Sequence, residues 1–150
     1  MGGEWPKSAA GLSINELELF VIAIAAKKWG PKWARKKVIA TCDNMASVWT
    51  INTGSARNPA MMVAMRELFL AAARNSFEMK SKYINTKLNV MADAISRGDL
   101  ERFFKHAREV CGLNKLTRVE PNTDVAAVVS RMQKARRGGE RREALRRKEK

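Results

Sequence analysis

The nine residues Lys36-Lys37-Val38-Ile39-Ala40-Thr41-Cys42-Asp43-Asn44 constrain this chain more than any other stretch. Residues 38–42 are β-branched or small, with no proline and no glycine, and they read as a short buried strand. Asp43 stands where that strand should end. From Asn44 onward, Met45, Val48, Trp49 and Ile51 repeat at helical spacing until Gly54 stops them. A carboxylate at the carboxyl end of a buried strand, facing the next helix, is where α/β proteins commonly place their chemistry. A helix cap is the plainer role for Asp43, and the stretch alone leaves both open.

The preceding segment makes a helix. Ser13-Ile14-Asn15-Glu16 fits a capping box, with Leu12 and Leu17 as the hydrophobic staple around it. The pattern runs through Ala26 and must end before Gly30-Pro31. Residues 17–26 are apolar at every position but Glu18. A lone charge among apolar neighbours is costly, so Glu18 should reach solvent, pair with a lysine or bind a cation. Glu16 is already accounted for by the cap.

After a loop at residues 55–59, residues 60–75 form a helix of Met, Leu and Ala with Arg66, Glu67 and Arg74 on its polar side. Its methionines read as core filler. Phe77, Met79, Ser81 and Tyr83 alternate with Glu78, Lys80 and Lys82, the period of a half-exposed strand. A turn at 85–87 leads to a helix at 90–96, with Asn89 at its start. Asp93 lies one turn in, between Ala92 and Ala94, where a ligand can approach or where the carboxylate simply complements the helix dipole. Residues 100–110 form a further helix.

Charge narrows the partners. The 29 Lys and Arg against 15 acids give +14 over 150 residues, the signature of a polyanionic partner, nucleic acid first among them. Residues 131–150 carry ten Lys or Arg and three Glu, half of that net charge, interrupted by Gly138-Gly139. This segment is expected to be a solvated basic arm, helical or disordered. Candidate phosphate contacts are Arg35, Lys36, Lys37, Lys80 and Lys82 near the strands, and Arg136, Arg137, Arg141 and Arg142 in the arm. Two cysteines and one histidine argue against a disulfide framework or a zinc site. No secretory pattern opens the chain, and no apolar run approaches the roughly 20 residues of a membrane span. The expectation is an intracellular protein, nuclear or cytoplasmic, with no membrane partner.

Three acids, Glu18, Asp43 and Asp93, thus come from three separate elements, the kind of arrangement that a pair of Mg²⁺ ions requires. The runs around them resemble the ribonuclease H family. Ile14-Asn15-Glu16-Leu17-Glu18-Leu19 looks like the helix that carries the catalytic Glu, and Thr41-Cys42-Asp43-Asn44 like the strand end with the central Asp. The run Tyr83-Ile84-Asn85-Thr86-Lys87-Leu88-Asn89-Val90-Met91-Ala92-Asp93-Ala94-Ile95-Ser96-Arg97 looks like the last motif. The similarity is greatest to tyrosine-recombinase (DIRS-like) retrotransposon polyproteins, in which Trp29-Gly30 and Ile95-Ser96-Arg97 are also typical.

The resemblance implies an α/β fold: an incomplete ribonuclease H-like domain with two short parallel strands, flanking helices and a basic helical tail. It also implies Glu18, Asp43 and Asp93 as catalytic metal ligands for Mg²⁺, with Asn44 and Asn89 as supporting contacts or caps. The reaction would be hydrolysis of RNA in RNA–DNA hybrids. The departures are a missing amino-terminal hairpin with its metal-binding Asp, and Tyr83 where many relatives have a His. They predict weak or absent activity and a bare strand edge that a partner chain would cover. The alternative is a non-catalytic basic protein that binds RNA–DNA hybrid or DNA. The expected organisation is an irregular segment at 1–12, the partial domain at 13–111, a linker at 112–123 containing Pro121, and the tail at 124–150.

Overall fold

A computed structural model describes residues 7–110, 112–113 and 124–148. The chain is mixed α/β and mostly helical, with two parallel strands. The first helix, α1 (Ile14–Trp29), begins at the capping box: the Ser13 N–H donates to Glu16 Oε2 at 2.5 Å, and the Ser13 hydroxyl accepts from the Glu16 N–H. It leads through a 3₁₀ turn, Gly30–Trp33, into β1 (Lys37–Cys42). Next come α2 (Met45–Thr53) and α3 (Pro59–Asn75), both capped by asparagines, and then β2 (Glu78–Tyr83). The chain continues through α4 (Val90–Ser96) and α5 (Leu100–Glu109), and α6 (Val125–Lys148) is the last element described.

The strands pair in parallel with Lys37 opposite Glu78 and Cys42 opposite Tyr83. Their start is pinned by two residues in the left-handed region. Arg35 (φ 60°) donates its N–H to the carbonyl of Ser76 (φ 54°) at 2.7 Å, and the Glu78 N–H returns to the Lys36 carbonyl at 3.0 Å. Lys37, Ile39, Thr41, Lys80 and Lys82 share the solvent face. An exposed strand edge is a liability, and β2 has its edge managed. Asn52 of α2 accepts from the Ser81 N–H and donates to the Ser81 carbonyl, both at 2.9 Å, occupying the ladder groups that point away from β1. Among the described residues no strand pairs with the other edge of β1.

The core lies between α1, α3 and α6. Leu19, Phe20, Ala23 and Ile24 meet Ala60, Met61, Ala64 and Leu68, and the layer is closed by Val128, Val129 and Met132. Alanines at the α1–α3 contact let the helix axes approach closely. Gly30 does the same at the end of α1, where a Cβ would fall 2.8 Å from Asn75 Nδ2 and 3.2 Å from the Phe77 ring. By contrast, α4 and α5 pack on each other, and their buried residues, Ala94 and Ala107, lie outside this core cluster.

Three expectations need correction. The segment 131–150, read as a solvated arm, has its Met132 buried in the core. The tail that holds it is helical, a 24-residue helix whose amphipathic start is built into that core. Its apolar residues Val125, Val128, Val129 and Met132 recur at helical spacing, and that stripe outweighs the surrounding charge. Gly138-Gly139 does not interrupt the helix; a Cβ on Gly139 would come within 2.6 Å of Pro59 Cγ, so the glycine is where α6 crosses the start of α3. Asn89 makes no side-chain cap bond to α4; the nearby side chain that caps is Asn85, which accepts from the Lys87 N–H at 2.9 Å. The linker with Pro121 lies, apart from residues 112–113, outside the described residues.

Candidate metal centre

Two residues apart on α1, Glu16 and Glu18 point in different directions, because a helix turns about 200° over that interval. Glu16 faces inward and is 1 % exposed. Beyond its cap bond, it accepts from Asn58 Nδ2 at 2.8 Å and meets Arg136 Nη1 at 3.4 Å. Glu18 is half-buried on the side facing the end of β1. Its Oε2 accepts from Asn44 Nδ2 at 2.6 Å. The same amide donates to Asn15 Oδ1 at 2.7 Å, while Asn44 Oδ1 caps α2 by accepting from the Ala46 and Ser47 N–H groups. Asn44 is therefore both cap and tether. Capping holds its amide rigid, and the amide fixes the Glu18 rotamer.

Asp43 follows directly on β1. One carboxylate oxygen each from Glu18 and Asp43 and the Cys42 sulfur lie within 4.8 Å of one another. Among the described residues neither acid has an ion pair. Burial pushes the Cys42 thiol above its ordinary pKa, and the charges of Glu18 and Asp43 add to that. A neutral thiol beside two carboxylates leaves an oxygen donor set, which suits a hard divalent cation that retains waters.

Asp93 does not belong to this group. It sits on α4 and accepts from Arg97 Nε at 2.7 Å and Arg102 Nη1 at 2.9 Å. The Arg97 hydrogen bond, with Arg102 behind it, holds its carboxyl below the usual aspartate range. Sequence reasoning took the small neighbours of Asp93 as room for a ligand; Arg97, one turn on, and Arg102 at the start of α5 fill that role instead.

The predicted phosphate contacts separate into two surfaces. Lys37, Lys80 and Lys82 stand on the open sheet face, with Arg35 and Lys36 exposed at its entry. Arg142 lines a cleft between α3 and α6, while Arg136 is already engaged by Glu140, Glu16 and the Gly11 carbonyl. Arg137 and Arg141 are exposed on α6. Sequence reasoning missed Arg57 and Arg66 on that cleft, and it missed the thiol of Cys42 at the acidic pair. Adjacency to Asp43 was the available signal for the thiol; for the two arginines there was none, because their neighbours come from α6. No helix among the described residues is long and apolar enough to cross a membrane. No protein-family model matches the chain, and neither a curated protein nor a solved structure matches it.

Proposed function

We propose that the chain is the carboxyl-terminal part of a ribonuclease H-like domain of retroelement type, with weak Mg²⁺-dependent hydrolysis of RNA in RNA–DNA hybrids. The observation that carries this reading is the apposition of Glu18 and Asp43, from a helix and a strand end, with no cation partner among the described residues. Glu18 and Asp43 are the residues that would hold Mg²⁺, and Asn44 keeps Glu18 aimed at it. A bound Mg²⁺ would stabilise charge developing on the phosphoryl oxygens during displacement.

The test is Mn²⁺ binding by paramagnetic line broadening, run beside a hybrid-cleavage assay in Mg²⁺. Broadening centred on α1 and the end of β1, lost in Asp43→Asn together with any cleavage, is expected. Uniform broadening that Asp43→Asn leaves unchanged would refute the reading. A second reading, a non-catalytic nucleic-acid-binding protein, is favoured by the ion pairs of Asp93 with Arg97 and Arg102. Metal binding without cleavage would select it.

A further inference from the structure

A cleft of about 1320 Å³ runs between the starts of α1 and α3 and residues 131–146 of α6, and neither Glu18 nor Asp43 lines it. Its rim carries Arg57, Arg66, Lys134, Arg142 and Arg146. All five are exposed, and none has an ion pair among the described residues. The carboxylates on the cleft are already matched: Glu16 and Glu140 by Arg136, and Glu143 by Arg147. The lining holds seven cationic side chains against three carboxylates, a net of four positive charges.

The helix geometry puts these charges in a row. Lys134, Gly138, Arg142 and Arg146 are spaced four residues apart and form one ridge of α6, about 18 Å long at 1.5 Å per residue. A Cβ on Gly138 would meet nothing within 4 Å, so this position of the ridge faces open space. One position on, Gly139 lets α6 sit against Pro59, which brings the ridge beside Arg57 and Arg66.

We propose that this cleft seats one phosphate backbone of double-stranded nucleic acid and binds it without sequence preference. Four of the five free cations are arginines, whose planar forks match phosphate oxygens. No lining residue is aromatic, and sites for single strands rely on aromatic stacking of the bases. A fixed row of charges on a helix packed into the core complements a regular backbone that releases counterions on contact. The ligand class is that of the proposed function, but the cleft depends neither on metal binding nor on hydrolysis.

The experiment is a salt titration of full-length chain on two unrelated duplexes, each of about 20 base pairs, read by fluorescence anisotropy. The variant Arg57→Ala/Arg66→Ala/Arg142→Ala/Arg146→Ala should weaken binding to both duplexes alike. It should also make the plot of log K against log salt shallower by roughly 0.9 for each arginine that meets a phosphate. All four side chains are exposed, so the thermal melt should not move. A variant that neutralises Lys37, Lys80 and Lys82 on the sheet should keep most of the slope.

An unchanged slope in the cleft variant would overturn the proposal, as would tighter binding of a single strand of equal length. Displacement of the duplex by polyglutamate as efficiently as by unlabelled duplex would overturn it in favour of an acidic polypeptide. Asp43→Asn is expected to leave the slope where it is, so loss of the hydrolase reading and loss of the cleft are read separately.

Discussion

Glu67, which the sequence placed on the polar side of α3 but the fold buries, and Glu18, alone in an apolar run, meet opposite fates. Glu67, on α3, is buried between two cations: Lys27 Nζ at 2.6 Å and Arg131 Nη2 at 2.7 Å. Burial alone would raise its pKa, yet the Lys27 bond and charge, with Arg131, bring it below the usual glutamate range. Glu18 has an amide and a second carboxylate for company. The first arrangement ties α1, α3 and α6 together and leaves nothing to bind. The second leaves two carboxylates side by side with no cation partner among the described residues.

The strongest way to break this contrast is to remove α6, since Glu67 is structural only if α6 is. Val128, Val129 and Met132 are each at most 2 % exposed. Burying such side chains contributes about 1.5–3 kcal/mol apiece, a sum comparable to the whole stability of a small domain, on the order of 5–15 kcal/mol. Deleting residues 124–150 should therefore abolish cooperative thermal unfolding measured by circular dichroism. A truncated chain that melts cooperatively would return the segment to the status of a free arm.

Next in size is Glu67→Gln. Breaking a buried pair costs about 3–5 kcal/mol, but Lys27 and Arg131 are 27 % and 58 % exposed and can be rehydrated. A loss of about 1–2 kcal/mol in urea denaturation is expected once solvent screening is allowed for. Because the folded pKa of Glu67 is lowered, its contribution is complete above the ordinary glutamate value. It fades as pH falls from there through the folded value. Wild-type stability should thus drop across that acid window, and Glu67→Gln should flatten the drop. Parallel curves for the two proteins would show that the ion pairs contribute nothing.

The smallest expected change is in Glu18→Gln, and its sign is the diagnostic. Removing one of two mutually repelling charges should leave stability unchanged or raise it by about 0.5 kcal/mol in metal-free buffer, the range usual for surface substitutions. The stabilisation that wild type gains from Mn²⁺ should disappear. Destabilisation comparable to that of Glu67→Gln would place Glu18 among the structural acids.

Much of the local grammar was readable in advance. The Ser13–Glu16 capping box, the strand ending just before Asp43, the Asn44 cap and the Gly54 stop in the left-handed region all depend on residues within a few positions of each other. Such features are settled by backbone groups that neighbours alone can satisfy. The apposition of Glu18 and Asp43 was expected only as part of a three-acid set implied by the ribonuclease H resemblance, and Asp93 stands outside it. The fate of Asp93 was not readable in advance. Arg97 is one turn away, yet whether it turns toward Asp93 depends on where α5 and Arg102 settle.

By itself, then, the sequence determined the starts of the first five helices to within a residue, the two strands, their charge-rich outer face and the acids that need an explanation. Only the tertiary structure decided which acids are neutralised. Glu16 meets Arg136 across 120 positions, and Glu67 meets Arg131 across 64. Both contacts exist because α6 returns to cover α3, with Val128, Val129 and Met132 buried beneath it. Hydrophobic burial is non-directional and leaves no local signature of its partner. A helix that looks like a charged arm in sequence can therefore be core on one face and a row of free arginines on the other.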